Sequence, residues 1–135
     1  MGADVGLVAA SALHAGFQLV VTVLVYPAFR TVPVELWAAH HGRHTRRVTW
    51  LVVPVYGLLA LAGLATLRSG ADAWQLVALG LLVGCVVVTA TVAGPAHSRL
   101  AAGRDPAALA RLLVADRLRC VAAVLAGLAA LVASS

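Results

Sequence analysis

The chain has few charged residues. Only 11% of its 135 residues are charged and none is lysine, whereas 62% are hydrophobic and the mean hydropathy is +0.98. A soluble domain carries about 25% charged residues. So few charges could not cover this much apolar surface in water, which excludes an ordinary soluble domain. We therefore predict that lipid surrounds the protein.

Acidic residues and cysteines are also scarce. The five acids leave a net charge of +5, but the arginines lie at the ends of apolar runs, without the interleaved aromatic residues of nucleic-acid recognition. We expect no nucleic-acid partner and interpret the arginines as contacts for membrane lipid headgroups. Cys85 and Cys120 lie inside apolar segments, so we expect two buried thiols and no disulfide. The sequence has no Ser/His/Asp triad pattern, P-loop or dinucleotide fingerprint.

Four apolar runs are long enough to cross a membrane as helices, which takes about 20 residues each. We predict an all-α integral membrane four-helix bundle that forms a single domain over residues 1–135. The spans are predicted at residues 5–29, 48–67, 73–97 and 112–132. Short amphipathic interfacial helices are predicted between spans 1 and 2 and between spans 3 and 4. Pro33 and Pro106 favour helix starts there.

The positions of the arginines predict the orientation in the membrane. Nine of the ten lie in the segments 30–47 and 99–119, and Arg68 in the middle turn is the tenth. The positive-inside rule places both segments on the cytoplasmic side of the cell's inner (plasma) membrane. Both termini and the middle turn are then predicted to lie outside.

The two halves of the chain resemble each other. VVTVLVYPAF (20–29) aligns with VVTATVAGPAH (87–97) with one residue inserted, and an arginine-rich stretch entered through a proline follows each. This pattern predicts two repeated helical hairpins with approximate two-fold symmetry about the membrane normal. The alternative is a coincidence between two segments rich in valine and alanine.

Polar side chains recur every three or four residues along three of the predicted spans, so each set lies on one helix face. Because a polar face is costly in lipid, these faces are predicted to line an interior pocket that opens to the cytoplasmic side. The predicted substrate-binding residues are His14, Gln18, Thr22 and Thr89. Alternatively, the same groups only form hydrogen bonds between helices.

Histidines near the predicted cytoplasmic end are candidates for chemistry. His40 and His44 are one helical turn apart, and with His97 and Asp116 they would offer three nitrogens and one oxygen to Fe, Cu or Zn. The alternatives are a solvated interfacial histidine cluster and metal-free acid–base catalysis, which suits imidazole near neutral pH. The cofactor therefore stays open between Fe, Cu and none. His41 is expected to point to another face and to contact headgroups.

We predict four catalytic residues. His97 would carry proton or metal chemistry, and Asp116 would act as a base or a ligand. Arg119 would hold an anion or enolate, and Tyr26 would orient an oxygen of the substrate. The structural alternative is a local ion pair at Asp116 with arginines that extend to the interface.

With these residues, the chain resembles the small four-span membrane family that includes the anthrone oxygenases of aromatic polyketide pathways. YPAFRTVP, VTATVAGPAHSRL and DRLRCVAAVLAGLAALV carry the likeness. Only His97, Asp116 and Arg119 can be matched to the family's motif residue by residue. The resemblance implies cofactor-free oxygenation, but His44, His97 and Asp116 stand where the family tends to carry asparagine. Since His and Asp bind metals much better than Asn, this departure makes a metal-dependent variant conceivable.

We therefore predict a membrane-embedded oxidoreductase or oxygenase that acts on a lipophilic, aromatic or polyketide-like small molecule. One alternative is a non-catalytic transporter or binding protein that uses the same polar stripes. Another is a structural subunit that docks to a membrane complex through glycine and alanine faces around residues 57–63 and Gly127. The same faces would permit homo-oligomers.

Overall fold

The structure of the protein is a computed structural model, and it describes residues 2–135. Within that range the chain forms four helical segments and no strand, which confirms the predicted all-α class. The first and third segments each run through a π-helical turn. In order, the elements are α1 (Gly2–Val20), the first π turn (Val21–Val25), α2 (Tyr26–Phe29), α3 (Val34–Ser69), α4 (Ala73–Val88), the second π turn (Thr89–Ala93), α5 (Gly94–Ala102) and α6 (Pro106–Ala133).

The two π turns have the same local cause. Each lies just before a short helix with proline at its start, Pro27 in α2 and Pro95 in α5. Proline has no N–H and its ring clashes with the carbonyl four residues earlier, so a regular α-helical turn cannot form there. Instead the N–H of Tyr26 bonds to the carbonyl of Val21. This widened turn occurs at the same place in both halves, which supports the predicted repeat.

The helix boundaries follow local signals. The amphipathic helix and the second span are one continuous helix, α3, which contains Pro54 and ends before Gly70 at φ 87°. That φ is in the left-handed region that glycine adopts without strain. The helix that contains the third predicted span, 73–97, continues beyond it, because α5 ends at Ala102. The predicted start of α6 is confirmed, and Asp105 caps it by accepting the N–H of Ala107 at 2.8 Å.

Three of the four helical segments in the described range are long and apolar enough to cross a membrane: Asp4–Phe29, Val34–Ser69 and Ala73–Ala102. They correspond to the first three predicted spans. Helix α6 is not among them, because every 18-residue window of it contains Asp116, Arg117 and Arg119. The fourth span therefore stays a prediction.

Helix α6 is the centre of the packing. It packs against α1 and α4, and α1 also packs against α3, whereas α3 and α4 have little contact with each other. Alanine makes close approach possible, since its short side chain lets neighbouring backbones come near. The buried face of α6 carries Ala108, Ala115, Ala123, Ala126, Ala129 and Ala130.

The two arginine-rich segments meet at one end of the molecule. Trp37 donates a hydrogen bond from Nε1 to the carbonyl of Leu100 at 2.8 Å. Arg104 Nη2 donates to the carbonyl of Arg30 at 3.0 Å. These contacts fasten the start of α3 and the loop before α6 to the same end, as the predicted topology requires.

Candidate functional site

A layer of buried polar side chains separates two apolar clusters of the core. One cluster contains Phe29, Trp37 and Leu112, and the other contains Leu7 and Leu82. The polar layer comes from α1 and α6, whose stripes were predicted to face inward, and that orientation is confirmed for most of their members. The buried stripe members in this layer are Ser11, His14 and Gln18 of α1 and Asp116 of α6, and Arg119, predicted as a catalytic residue, is buried beside them.

A charged pair lies at the middle of this layer. Arg119 Nη2 is 3.5 Å from Asp116 Oδ1, one helical turn away on α6. Gln18 on α1 donates from Nε2 to the same carboxylate oxygen at 3.4 Å. Asp116 is 1% exposed and Arg119 is 7% exposed, so each charge depends on these partners for stabilisation.

Thr89, the first residue of the second π turn, is the other partner of Arg119. Its hydroxyl accepts a hydrogen bond from Arg119 Nη1 at 3.1 Å and donates to the carbonyl of Cys85 at 2.7 Å. The hydroxyl of Tyr56 on α3 lies 3.3 Å from the same oxygen. The guanidinium is therefore held between a carboxylate on one side and a hydroxyl on the other.

Three ionisable side chains form a second hydrogen-bonded group closer to the arginine-rich end. The hydroxyl of Tyr26 is 3.1 Å from His97 Nε2. His97 Nδ1 is in turn 3.2 Å from His41 Nε2. A neutral imidazole has one donor and one acceptor nitrogen, so the three groups can relay a proton in either direction by exchanging tautomers. The expectation that His41 points away was wrong, because its side chain is buried and bonded to His97.

The residues proposed as metal ligands do not gather at one point. His44 stacks on His97 with ring centroids 6.0 Å apart, and the ring of His40 packs on Phe29 at 5.6 Å. Asp116 is occupied by Gln18 and Arg119 instead. Within residues 2–135 no group of three or more His, Cys, Asp or Glu side chains is arranged to hold a metal ion. The predicted set of His40, His44, His97 and Asp116 is therefore dispersed.

A cavity of about 180 Å³ connects the charged pair with the histidine group. Among its walls are Tyr26, His97, Arg119, Gln18 and Thr89, all of which were predicted as site residues. Exposed Thr45 and Thr49 of α3 mark its opening at the side of the molecule. The remaining lining residues are mostly apolar and include Phe17, Val21, Val48, Val52 and Ala93.

Beyond Tyr56 an apolar groove of about 540 Å³ extends between α3 and α4. Tyr56 lines both the cavity and the groove, so it is the boundary between the polar and apolar parts. The groove exists because α3 and α4 scarcely touch. Leu59, Gly63, Leu79 and Val83 are among its walls.

Three of the predicted catalytic and substrate-binding residues do not line the cavity, and neither do His40 and His44 of the predicted metal set. Asp116 lies behind Arg119, and Thr22 is half-buried on α1. His14 is fully buried, with its ring in an edge contact with Tyr56 at a centroid distance of 5.3 Å. Neither of its nitrogens has a hydrogen-bond partner among the described residues. His14 and Thr22 were predicted to bind the substrate, but neither of them lines the cavity, so this role stays a prediction.

Sequence reasoning missed the contribution of α3. His41, Thr45, Thr49, Val52 and Tyr56 recur at three- or four-residue steps and all face this site or its histidine group. The same periodicity test that identified stripes on the other helices would have found this one. The pattern is interrupted by arginines and apolar residues, which obscures it.

Comparison with protein-family models, curated proteins and solved structures gives no match to this chain.

Proposed function

We propose that the protein is a membrane-embedded oxidoreductase of the oxygenase type, which acts on a lipophilic aromatic molecule through acid–base chemistry. The observation that carries the proposal is one cavity with Tyr26, His97 and Arg119 in its walls. A proton acceptor and a fixed cation beside one bound molecule are what an enolising enzyme needs. The resemblance to the anthrone oxygenases suggests the same class of substrate.

The proposed base is His97. Tyr26 and His41 occupy its two nitrogens at 3.1 and 3.2 Å, so a proton taken up on one side can leave on the other. The substrate would bind next to Tyr26. The Tyr26 hydroxyl would donate its proton to His97 and accept one from the substrate. His41 would then receive a proton from the far nitrogen of His97.

Arg119 would stabilise the anion that deprotonation leaves. Its guanidinium lines the cavity, whereas its partner Asp116 does not, so a bound molecule meets the positive member of the pair. Removing a proton next to a carbonyl gives an enolate, whose oxygen would accept from Arg119. Dioxygen would then oxidise the enolate carbon, and one methylene and one dioxygen molecule would yield a carbonyl and one water.

The sizes of the two spaces favour an aromatic head with a lipophilic remainder. An apolar cavity of roughly 150 Å³ holds benzene, so the 180 Å³ cavity accommodates about one substituted ring. The rest of the molecule would lie in the groove between α3 and α4. The side opening would let such a molecule enter from the membrane, close to its cytoplasmic surface.

The membrane location belongs to the same proposal. Burial of Asp116 and Arg119 against each other removes the main obstacle to α6 as a fourth span, since paired charges inside a bundle are tolerated in lipid. The four segments would then form a bundle of two repeated hairpins in the inner (plasma) membrane. The arginine-rich end would face the cytoplasm, with both termini outside.

The test is oxygen consumption by detergent-purified protein supplied with a hydroxyanthrone. We expect the wild type to consume oxygen, and both His97→Ala and Tyr26→Phe to lower the turnover by about 10²–10⁴-fold, the usual contribution of a positioned acid or base. His40→Ala is the matched control, because its ring packs on Phe29 outside the cavity.

Full activity in His97→Ala would refute the catalytic assignment. Tight binding of the hydroxyanthrone without turnover, unaffected by His97→Ala, would support the alternative of a binding or transport protein.

A further inference from the structure

We propose that three arginines at the arginine-rich end bind the headgroup of an anionic phospholipid, with its acyl chains along α6. The inference rests on the membrane location proposed above but not on any catalytic activity. The site is a cavity of about 330 Å³ whose walls include Arg30, Arg104 and Arg117. It is separate from the cavity that contains His97 and Arg119.

Arg104 is held in position by its neighbours. Its Nη2 donates to the carbonyl of Arg30 at 3.0 Å, and its guanidinium lies 6.0 Å from the centre of the Trp37 ring. Its Nε is buried and has no hydrogen-bond partner in the part of the chain that the structure describes. That Nε lies too deep to contact a ligand, but an anion in the cavity beside Arg104 would offset the charge of its guanidinium group.

The charge around this cavity is not balanced by protein groups. Three arginines line it, and no acidic residue in the described range does so. Asp105 is next in the chain, but its carboxylate oxygen accepts the N–H groups of Ala107 and Ala108 at the start of α6. Phosphate oxygens suit several arginines at once. A headgroup with two phosphates matches three positive charges best.

The apolar surroundings favour a lipid over a soluble anion. Leu109 and Leu113 form the apolar side of the arginine cavity. A second cavity of about 390 Å³ adjoins the arginine cavity. Ala110 and Val114 line both cavities, and Val92 lines the second one. A phospholipid whose phosphate lies between the arginines would therefore have space for its acyl chains along the outer face of α6.

The experiment measures lipid retention by the full-length protein in detergent, using native mass spectrometry with added cardiolipin or phosphatidylcholine. We expect the wild type to retain one cardiolipin and to release phosphatidylcholine. The variant Arg30→Gln/Arg117→Gln should bind cardiolipin about tenfold or more weakly, since each arginine near a lipid surface contributes several-fold. Arg104 is kept because it also packs on Trp37.

The control is Arg46→Gln/Arg99→Gln, which removes the same charge from two exposed arginines outside the cavity. Equal weakening in both variants would mean diffuse attraction and would overturn the site. Displacement of cardiolipin by millimolar inorganic phosphate would also overturn it, in favour of a soluble phosphate ligand. Loss of oxygen consumption alone has no bearing on this result, so the two proposals can fail independently.

Discussion

The buried pair of Asp116 and Arg119 makes a quantitative prediction. Their charges are 3.5 Å apart, and at an effective dielectric constant of about 20 two unit charges at that distance attract by roughly 5 kcal/mol. Asp116→Ala removes the carboxylate and leaves Arg119 with Thr89 as its remaining side-chain partner. Loss of one member of a buried pair typically costs about 3–5 kcal/mol. We expect a decrease of that size in the free energy of unfolding.

The double variant Asp116→Leu/Arg119→Leu separates the pair's net contribution from the cost of a stranded charge. Replacing both members with apolar residues removes two desolvation penalties together with the attraction, and such exchanges are often neutral or stabilising. We therefore expect it to be at most about 1 kcal/mol less stable than the wild type, but to have no activity because Arg119 is gone. Arg111→Ala is the exposed control on α6 and should change stability by less than about 0.5 kcal/mol.

The assay is reversible unfolding in mixed detergent micelles, followed by far-ultraviolet circular dichroism. A single variant as stable as the wild type would refute the reasoning, because it would mean that the charge on Arg119 needs no partner. A double variant that is less stable than Asp116→Ala would refute it as well. That outcome would mean that the attraction within the pair stabilises the fold, and that the loss in Asp116→Ala does not come from leaving a buried charge without a partner.

Further predictions test the other parts of the site. His41→Ala should lower turnover at least tenfold because it removes the end of the relay, whereas His40→Ala should not; equal turnover in the two variants, measured as oxygen uptake, would contradict the relay. Gly63→Val should raise KM for substrates with long apolar chains and leave short ones unaffected, since a Cβ at Gly63 already lies 3.0 Å from Leu79 in the groove; an equal change for both chain lengths would argue against the groove. Elemental analysis should find less than one equivalent of Fe, Cu or Zn, because the proposed ligands are dispersed; a stoichiometric metal lost in His97→Ala would contradict this.

The inward faces could be predicted because a polar side chain in an apolar helix favours the interior of a helix bundle. His14, Gln18 and Asp116 are such residues, and each is buried. The helix class and the start of α6 after Asp105 follow from equally local signals. Periodicity within one helix was enough for all of these features.

Contacts between helices could not be predicted in the same way. His40 and His41 are adjacent, and which of them faces inward depends on how α3 is rotated against α5. The stripe through His41, Thr45 and Thr49 is a local signal for that rotation, but His40 and His44 have the same spacing and compete with it. The predicted metal ligands, His40, His44, His97 and Asp116, lie on three different helices, and the packing of these helices places the four side chains apart. The partner of Arg119 on the second π turn, Thr89, was predicted as a binding residue, although its bond to Arg119 was not.

The π turns also determine the direction in which the side chains of Tyr26 and His97 point from their helices. An α-helix advances about 100° per residue, so side chains spaced four apart drift by about 40° at every step. A spacing of four residues separates Gln18, Thr22 and Tyr26. The same spacing separates Cys85, Thr89, Ala93 and His97. A turn closed by hydrogen bonds five residues apart advances less per residue and takes up the drift. Each proline, placed just past its π turn, thus sets the angle at which Tyr26 and His97 meet. Without its π turn, a regular α-helix would carry Tyr26 about 80° around the helix axis from Gln18, because two four-residue steps each drift by about 40°.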